Sequence, residues 1–145
     1  MDIEISRIHP DARLPEYKTS GAACFDLEAV EEVMVEPGEI KLVGTGLVIR
    51  VPAGFFFCVA PRSSLNKYGL DMPNSIGIFD PDYSGVNDEV RLLVRNFTKE
   101  KVVIEKHQRL AQGYISAAPR VRWKEMDPSN LETTSRGGYG STGKH

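Results

Sequence analysis

The sequence predicts an all-β subunit of the jelly-roll or β-barrel type. Short stretches rich in Val, Ile, Leu and Phe alternate with Gly and Pro along most of the chain, a pattern typical of strands separated by turns. No stretch keeps a helical period of apolar residues over three turns. Many short strands at close spacing favour a barrel or jelly roll.

Strands are predicted where β-branched and aromatic residues cluster between turn formers. In chain order, they are Glu4–His9, Ala23–Glu28, Val33–Val35, Glu39–Val51, Phe55–Ala60, Ser75–Ile78, Val90–Asn96, Val102–Ile104, Leu110–Ile115 and Val121–Lys124. One short helix is predicted at Ser64–Tyr68. Ser63 or Ser64 can cap this helix, and Gly69 can end it in the left-handed conformation.

Length and composition predict one domain followed by a tail. With 145 residues the chain can bury one substantial core, and we expect the β domain to cover residues 1–132. Residues 133–145 are mostly Gly, Ser and Thr. Such a segment cannot pack a core, so we expect a flexible tail.

Charge and apolar content exclude several classes of partner. The net charge of -2 provides no basic field for nucleic acid. The longest apolar run, Phe55–Ala60, is too short to cross a bilayer, and the N-terminal residues contain no apolar stretch of signal-peptide length. Cys24 and Cys58 fit buried free thiols, which favours a reducing compartment such as the cytoplasm. The histidines have no ligand spacing, so we expect surface residues and no zinc site at His9, His107 and His145.

The segment from Asn74 to Gly85 carries the densest set of reactive side chains. An amide, two carboxylates and a phenol lie within ten residues. An amide can bind the edge of a base, a carboxylate can accept a proton from water, and an aromatic ring can pack on a sugar. The segment alone fits a nucleotide hydrolase, but it fits equally well a strand followed by an Asp-Pro-Asp turn with a solvated Tyr83.

Two further segments carry groups suited to phosphate. Arg62, Ser63 and Ser64 follow an apolar strand at a predicted helix start, where backbone N–H groups favour anions. The last segment, residues 136–143, combines glycines with an Arg, an aromatic residue and two hydroxyls. The alternatives for these two segments are an exposed Arg beside a serine cap and a plain flexible tail.

Two predicted strands carry further polar side chains. A carboxylate such as Asp26 is uncommon inside an apolar strand unless it is paired or lies near a metal. In isolation Asp26 also fits the solvent face of an alternating strand, and this is the more ordinary arrangement. The stretch from Gln108 to Gln112 fits a polar strand entry with an ion-paired Arg109.

In this order the five segments resemble the motifs of the trimeric dUTPase family, the deoxyuridine triphosphate nucleotidohydrolases. The resemblance covers residues 22–143. The motifs read Ala23-Cys-Phe-Asp-Leu27, Pro61-Arg-Ser-Ser64, Asn74 to Gly85, His107-Gln-Arg-Leu-Ala-Gln112 and Arg136 to Gly143. The resemblance implies a jelly-roll subunit and a homotrimer with active sites shared between subunits. It also implies Mg²⁺-dependent hydrolysis of dUTP to dUMP and pyrophosphate, which keeps uracil out of DNA.

The resemblance also implies a role for each matching residue. Asp80 deprotonates the water that attacks the α-phosphorus, Tyr83 packs on the deoxyribose and excludes a 2′-hydroxyl, and Asp26 binds the metal through water. The uracil is bound by Asn74, Gly77, Ile78 and Phe79, and the phosphates by Arg62, Ser63, Ser64 and Gln112. The tail closes over the nucleotide through Arg136, Tyr139, Gly140, Ser141 and Thr142, with the ring of Tyr139 stacked on uracil.

Four positions depart from the family pattern. Tyr139 replaces a Phe, Phe79 stands where an aliphatic residue is usual, and His107 stands where Gly is common. The last motif is shorter than usual, so Arg136 lies closer in sequence to the aromatic residue.

Two other functions are weighed against the hydrolase. The dCTP deaminases, similar in fold, share the Arg-Ser-Ser and Asp-Pro signatures, but they need a general-base carboxylate where this chain has Leu93. Asp88 and Glu89 lie near that position and are assigned to an insertion. A nucleotide-binding relative without activity would be expected to lack the carboxylate of Asp80, which is present.

Overall fold

The computed structural model describes residues 1–138 and residue 141, and this part of the chain is built mostly from short β-strands. The strands are β1 (Glu4–Arg7), β2 (Phe25–Glu28), β3 (Val33–Val35), β4 (Ile40–Gly44), β5 (Leu47–Arg50), β6 (Phe55–Pro61), β7 (Leu70–Asp71), β8 (Gly77–Phe79), β9 (Arg91–Asn96), β10 (Val102–Ile104) and β11 (Arg109–Ala117). Two short 3₁₀ helices cover Leu65–Tyr68 and Pro128–Asn130. The predicted all-β class is confirmed.

The strands pair antiparallel in four small sheets within the described residues. The largest has the order β2–β11–β6–β8, and the nine-residue β11 lies inside it. The others are β4–β9–β7, β1–β5 and β3–β10. Apolar side chains from these sheets meet in one buried core, which includes Leu27, Phe57, Leu92, Ile104 and Leu110.

The predicted strand Glu39–Val51 is wrong as a single element, because the chain forms β4 and β5 instead. Gly46 separates them with a φ of +69°, a left-handed conformation that a strand does not contain. A Cβ at Gly46 would lie 2.8 Å from the Cβ atoms of Ala12 and His9. Apolar residues on both sides of the turn concealed this break, although β5 buries its apolar side chains while Ile40 and Leu42 of β4 are exposed.

The predicted strand Val121–Lys124 is also wrong, because these residues pair with no other strand of the described chain. Alternation of apolar and basic residues favoured a strand here, but a strand needs a neighbour to bond. Trp123 is 93% exposed and Val121 is 66% exposed. The segment therefore presents apolar side chains to solvent in the isolated subunit.

The predicted helix at Ser64–Tyr68 forms as a single 3₁₀ turn over Leu65–Tyr68. Gly69 ends it with a φ of +75°, as expected from its lack of a side chain. Ser64 stands at the cap position, but its side chain forms no capping hydrogen bond. A single turn has little dipole, so the contribution of a helix dipole to anion binding here is small.

Cys58 is buried and Cys24 is half-buried, and both are free thiols. The His9 side chain is half-buried and lies 3.1 Å from a carboxylate oxygen of Glu31, so the expected surface position is only partly correct. No helix among the described residues is long and apolar enough to cross a membrane.

A row of aromatic rings runs through the subunit and is organised by Gly113. Successive ring centroids lie 5.5 to 5.7 Å apart, in the order Tyr17, Phe25, Phe57, Phe79 and Tyr83. Gly113 of β11 pairs with β2 and β6, and a Cβ there would lie 2.5 Å from the Phe57 ring and 2.7 Å from the Phe25 ring. The absence of a side chain on β11 therefore lets these two rings stack.

We predict that Gly113→Ala lowers the free energy of unfolding by about 1–3 kcal/mol, because the methyl group must displace two packed rings. Urea denaturation followed by far-UV circular dichroism measures the change. Gly21→Ala is the matched control, since a Cβ at Gly21 meets no atom within 4 Å. Equal stability of the two variants would contradict the packing argument.

Candidate active site

Three charged side chains meet at one end of the largest sheet. Asp26 Oδ1 lies 3.0 Å from Arg62 Nε, and Asp26 Oδ2 lies 2.9 Å from Arg109 Nη1. The Asp26 side chain is only 14% exposed. The carboxylate is therefore paired on both oxygens and does not take the solvent-facing position that the strand pattern alone favoured. The expected ion pair of Arg109 is confirmed.

Strand register brings Gln112 to the same place. Asp26 lies opposite Gln112 in the β2–β11 pair, and Gln112 lies opposite Ala60 in the β11–β6 pair. Gln112 Nε2 donates a hydrogen bond of 3.1 Å to the carbonyl oxygen of Pro61. Residues directly opposite across a ladder point to the same face, so the amide lies near the paired carboxylate.

A β-bulge in β11 explains why Arg109 joins this cluster. Arg109 lies opposite Glu28 and Ala111 opposite Leu27, so β11 has one extra residue against β2. In a regular strand Arg109 and Gln112 would point to opposite faces, because they are three residues apart. The bulge turns the arginine to the face that carries the carboxylate, as bulges often do next to functional sites.

Ser63 and Ser64 follow Arg62 directly. Ser63 is exposed and Ser64 is half-buried. The chain turns here, because Leu65 N donates to Arg62 O at 3.0 Å and Lys67 N donates to Ser64 O at 3.0 Å. The two hydroxyls therefore lie in a tight turn beside the ion-paired cluster, and an anion that reaches Arg62 can also reach this turn.

His107 keeps the turn that precedes β11, although it replaces a common Gly. Its φ is +63°, and its N–H donates to Ala29 O at 2.7 Å. Such a conformation costs a non-glycine residue on the order of 1–3 kcal/mol. Its side chain is 22% exposed rather than on the open surface, and Nδ1 lies 3.4 Å from Glu28 Oε2. That oxygen is buried and accepts no hydrogen bond within the described residues.

The segment from Asn74 to Phe79 forms a tight turn that leads into β8. Ser75 has a φ of +62°, and Ile76 N donates to Asn74 O at 2.7 Å. A Cβ at Gly77 would lie 3.2 Å from the Phe79 ring and 3.9 Å from Asn74 Nδ2. The missing side chain leaves the amide and the strand backbone open to a planar ligand. Asn74 and Ile78 are exposed.

Asp80 and Tyr83 lie together at the mouth of a cleft. The cleft has a volume of about 330 Å³ and is lined by Leu42, Ile78, Phe79, Asp80, Tyr83, Glu89 and Arg91. Tyr83 N donates to Asp80 O at 3.1 Å, which closes a turn between the two side chains. Asp80 is exposed, and the Tyr83 ring packs on Phe79 with centroids 5.5 Å apart. Phe79, which is partly buried against the core, thus supports the Tyr83 ring.

The cleft and the charged cluster lie at opposite ends of β6. Phe57 pairs with Phe79, so Asp80 lies near Phe56, whereas Arg62 follows the other end of the strand. The six-residue separation corresponds to roughly 20 Å along the strand. One subunit therefore presents the two halves of the predicted site without bringing them together.

The tail is described only in part. Arg136 is exposed, and Ser141 N donates to Gly138 O at 2.9 Å. The other predicted tail residues lie outside the described residues, namely Tyr139, Gly140 and Thr142.

Sequence reasoning assigned no binding or catalytic role to two residues that the structure brings to these places. Arg109 joins the cluster through a bulge that no local pattern shows. Glu89 lines the cleft, and its Oε1 accepts a hydrogen bond of 2.8 Å from Gly46 N, 43 residues away in sequence. Both of its carboxylate oxygens are bound, since Arg91 Nε donates to Oε2 at 2.9 Å.

Comparison with known proteins identifies the family. A family model described as dUTPase matches residues 10–143. The deoxyuridine 5′-triphosphate nucleotidohydrolase of Nautilia profundicola is 40% identical over 99% of this chain and its own full length. That of Rickettsia bellii is 43% identical over 90% of this chain and 87% of its own length. The solved dUTPase of Streptococcus mutans is 28% identical and superposes with a TM-score of 0.75, covering 85% of this chain and 100% of that one.

These matches do not favour the deaminase alternative, because the relatives carry the hydrolase name. They cover nearly all of the described fold, including both halves of the candidate site. The prediction of a nucleotide hydrolase is confirmed at the level of the family: the chain belongs to the dUTPase family.

Proposed function

We propose that the protein hydrolyses dUTP to dUMP and pyrophosphate at sites shared between the subunits of a homotrimer. One observation carries the proposal furthest. An exposed carboxylate, Asp80, lies beside an aromatic wall, Tyr83, at the mouth of a cleft. A proton acceptor and a surface for a sugar are thereby joined in one rigid turn, as attack of water next to a nucleotide requires.

The base is bound by the turn before β8. The amide of Asn74 and the backbone from Gly77 to Phe79 offer donors and acceptors to the edge of uracil. Phe79 points into the aromatic row, so the family's usual aliphatic side chain is replaced without filling the cleft. The exposed Ile78 adds an apolar contact for the base.

The phosphates are bound by the cluster at the other end of the sheet. Arg62 holds one phosphate oxygen, and the hydroxyls of Ser63 and Ser64 and the amide of Gln112 hold others. Arg109 does not need to touch the nucleotide. By pairing with Asp26 it keeps that carboxylate in place, and the carboxylate in turn orients Arg62.

Hydrolysis proceeds by attack of water on the α-phosphorus. Asp80 takes the proton as the new phosphorus–oxygen bond forms, and the bond from the α-phosphorus to the bridging oxygen breaks. The bridging oxygen leaves with pyrophosphate, whose charge is balanced by Arg62 and the neighbouring donors. Tyr83 packs on the deoxyribose and leaves no room for a 2′-hydroxyl.

A magnesium ion held mainly by the triphosphate fits these residues better than one held by a protein cage. Among the described residues no group of three or more His, Cys, Asp or Glu side chains could hold a metal ion. Asp26 keeps free lone pairs beyond its two arginine contacts, so it can accept a hydrogen bond from a metal-bound water. When bound, Mg²⁺ neutralises phosphate charge and polarises the phosphorus–oxygen bonds.

We also propose that the chain divides into a β domain, residues 1–132, and a closing tail, residues 133–145. The tail supplies Arg136, Ser141 and Thr142 to the phosphates, while Tyr139 and Gly140 cover the base. Its closure excludes bulk water from the reacting phosphorus.

Two observations support the shared site. The separation of Asp80 from Arg62 by roughly 20 Å along one sheet leaves each subunit with an incomplete constellation. The segment after β11 also exposes large apolar side chains, which favours a covered position in an assembly. They are Val121, Trp123, Met126 and Leu131.

The substrate test is incubation of the purified protein with Mg²⁺ and, separately, dUTP, dCTP, dTTP and UTP. We expect pyrophosphate from dUTP alone, because the base edge and the sugar wall select deoxyuridine. Ion chromatography detects pyrophosphate, and a coupled assay detects ammonia. Ammonia from dCTP would instead show deamination, and no product from any nucleotide would refute the proposed hydrolysis.

We predict that Asp80→Asn lowers kcat for dUTP by about 10²–10⁴-fold, because the amide cannot accept the proton. Affinity for the non-hydrolysable imido analogue of dUTP, measured by calorimetry, should change little. Asp82→Asn is the matched control, since it removes a carboxylate from the same turn. Turnover near the wild-type rate in Asp80→Asn would refute the proposed base.

We predict that two inactive variants recover activity when their subunits mix. Asp80→Asn and Arg62→Ala are each expected to be inactive, but a site that takes Asp80 and Arg62 from different chains can be complete in a mixed trimer. With equal amounts of the two variants, about one half of the sites receive an intact Asp80, and about one half of those also receive an intact Arg62. We therefore expect about one quarter of the wild-type activity. The variants are unfolded together, refolded and assayed, with separately refolded samples as controls. No recovery in verified mixed trimers would place the whole site in one chain.

A further inference from the structure

The Tyr83 ring is fixed at two points. Its hydroxyl donates a hydrogen bond of 3.1 Å to the backbone carbonyl of Glu89, and its ring packs against Phe79 in a tilted arrangement with centroids 5.5 Å apart. The first contact holds the tip of the side chain and the second holds its ring. Tyr83 is still 38% exposed, on the side that opens to the cleft. The position of this wall therefore depends on where the carbonyl of Glu89 lies.

Glu89 is held by its own side chain. The carboxylate is 16% exposed, and Oε1 accepts a hydrogen bond of 2.8 Å from Gly46 N while Oε2 accepts one of 2.9 Å from Arg91 Nε. The hydrogen bond to Glu89 also raises the pKa of the Arg91 guanidinium above its ordinary value, so the guanidinium remains charged. A charged acceptor on a backbone N–H forms one of the stronger hydrogen bonds in proteins.

The turn between β4 and β5 is shaped to receive this carboxylate. A Cβ at Gly44 would lie 2.6 Å from Glu89 Oε1, so only glycine leaves the space. The next residue is bound to the same turn, because Val90 N donates to Leu47 O at 2.8 Å and Thr45 Oγ1 donates to Val90 O at 2.6 Å. These contacts fix the backbone of Glu89 against the core of the subunit.

We propose that Glu89 is a positioning residue that sets discrimination against ribonucleotides through Tyr83. The inference rests on the proposed function and adds a determinant of its specificity. Gly46 and Arg91 hold the carboxylate of Glu89, and this fixes the backbone of the residue. The backbone carbonyl of Glu89 then holds the hydroxyl of Tyr83, whose ring we propose to contact the sugar. Exclusion of a single hydroxyl group requires the wall to stand within less than an atomic diameter of its place. Glu89 does not touch the nucleotide and acts only through the ring.

The test compares kcat/KM for UTP with kcat/KM for dUTP in four variants. Glu89→Ala removes the carboxylate anchor, and Tyr83→Phe removes the hydroxyl but keeps the ring. Both should raise the ratio of UTP to dUTP by at least about tenfold over the wild-type protein. The double variant should show no larger ratio than the larger single one, because both changes break the same path. Glu89→Gln, which keeps an oxygen for Gly46 N–H, should discriminate better than Glu89→Ala.

The control is Glu36→Ala, an exposed glutamate that does not line the cleft and whose loss should leave the ratio unchanged. If Glu89→Ala lowers both rates equally, the residue is only structural and the proposal is wrong. If Glu89→Ala fails to fold, Tyr83→Phe still decides the test. The proposal connects Glu89 to the sugar through the Tyr83 hydroxyl, so an unchanged ratio of UTP to dUTP in Tyr83→Phe would show that the proposal is wrong. Absence of dUTP hydrolysis by the wild-type protein would instead refute the proposed function itself.

Discussion

The stacking of two aromatic rings over Gly113 is the contact on which the rest of the subunit depends. Gly113 lies between β2 and β6, and the Phe25 and Phe57 rings occupy the space that a side chain would take. The row of rings continues through tilted contacts to Phe79 and then to Tyr83. The surface that we propose to meet the sugar is thus an extension of the core. Its position depends on this packing as well as on the hydrogen bond from the Tyr83 hydroxyl to the carbonyl of Glu89.

The charged cluster depends on a second constraint, which is the extra residue in β11. The bulge turns Arg109 toward the face of Asp26 and leaves Arg62 on the other side of the carboxylate. The guanidinium groups of Arg62 and Arg109 bind different oxygens of Asp26, and each of these directional contacts fixes the orientation of one arginine. An anion that approaches Arg62 therefore meets a side chain already in place and loses little entropy in ordering it.

Local patterns in the sequence were sufficient for much of the fold but not for its long-range contacts. Val33–Val35 and Val102–Ile104 were predicted with the bounds that the structure shows, since a short β-branched run is a local signal. The break at Gly46 was missed, because apolar residues stand on both sides of the Gly44-Thr45-Gly46 turn.

The candidate site likewise combines contacts within one turn, which the sequence indicates, with contacts between distant residues, which it does not. Asp80 and Tyr83 share one turn, so their proximity could be predicted, whereas the Asp26 contacts span 83 residues to Arg109. The role of Glu89 in the cleft was also hidden, because Gly46 lies 43 residues away and nothing near either residue indicates the contact. Register, bulges and left-handed turns decide which distant residues meet, and none of these follows from composition.

The distance between the two ends of β6 has a consequence for the behaviour of the protein in solution. If neither half is a complete site, a folded but dissociated subunit is inert, and catalytic output follows the law of mass action for assembly. Specific activity then falls on dilution below the dissociation constant of the oligomer, while the secondary structure of each subunit persists. A measured rate thus reports the fraction of chains assembled as well as the chemistry of each site.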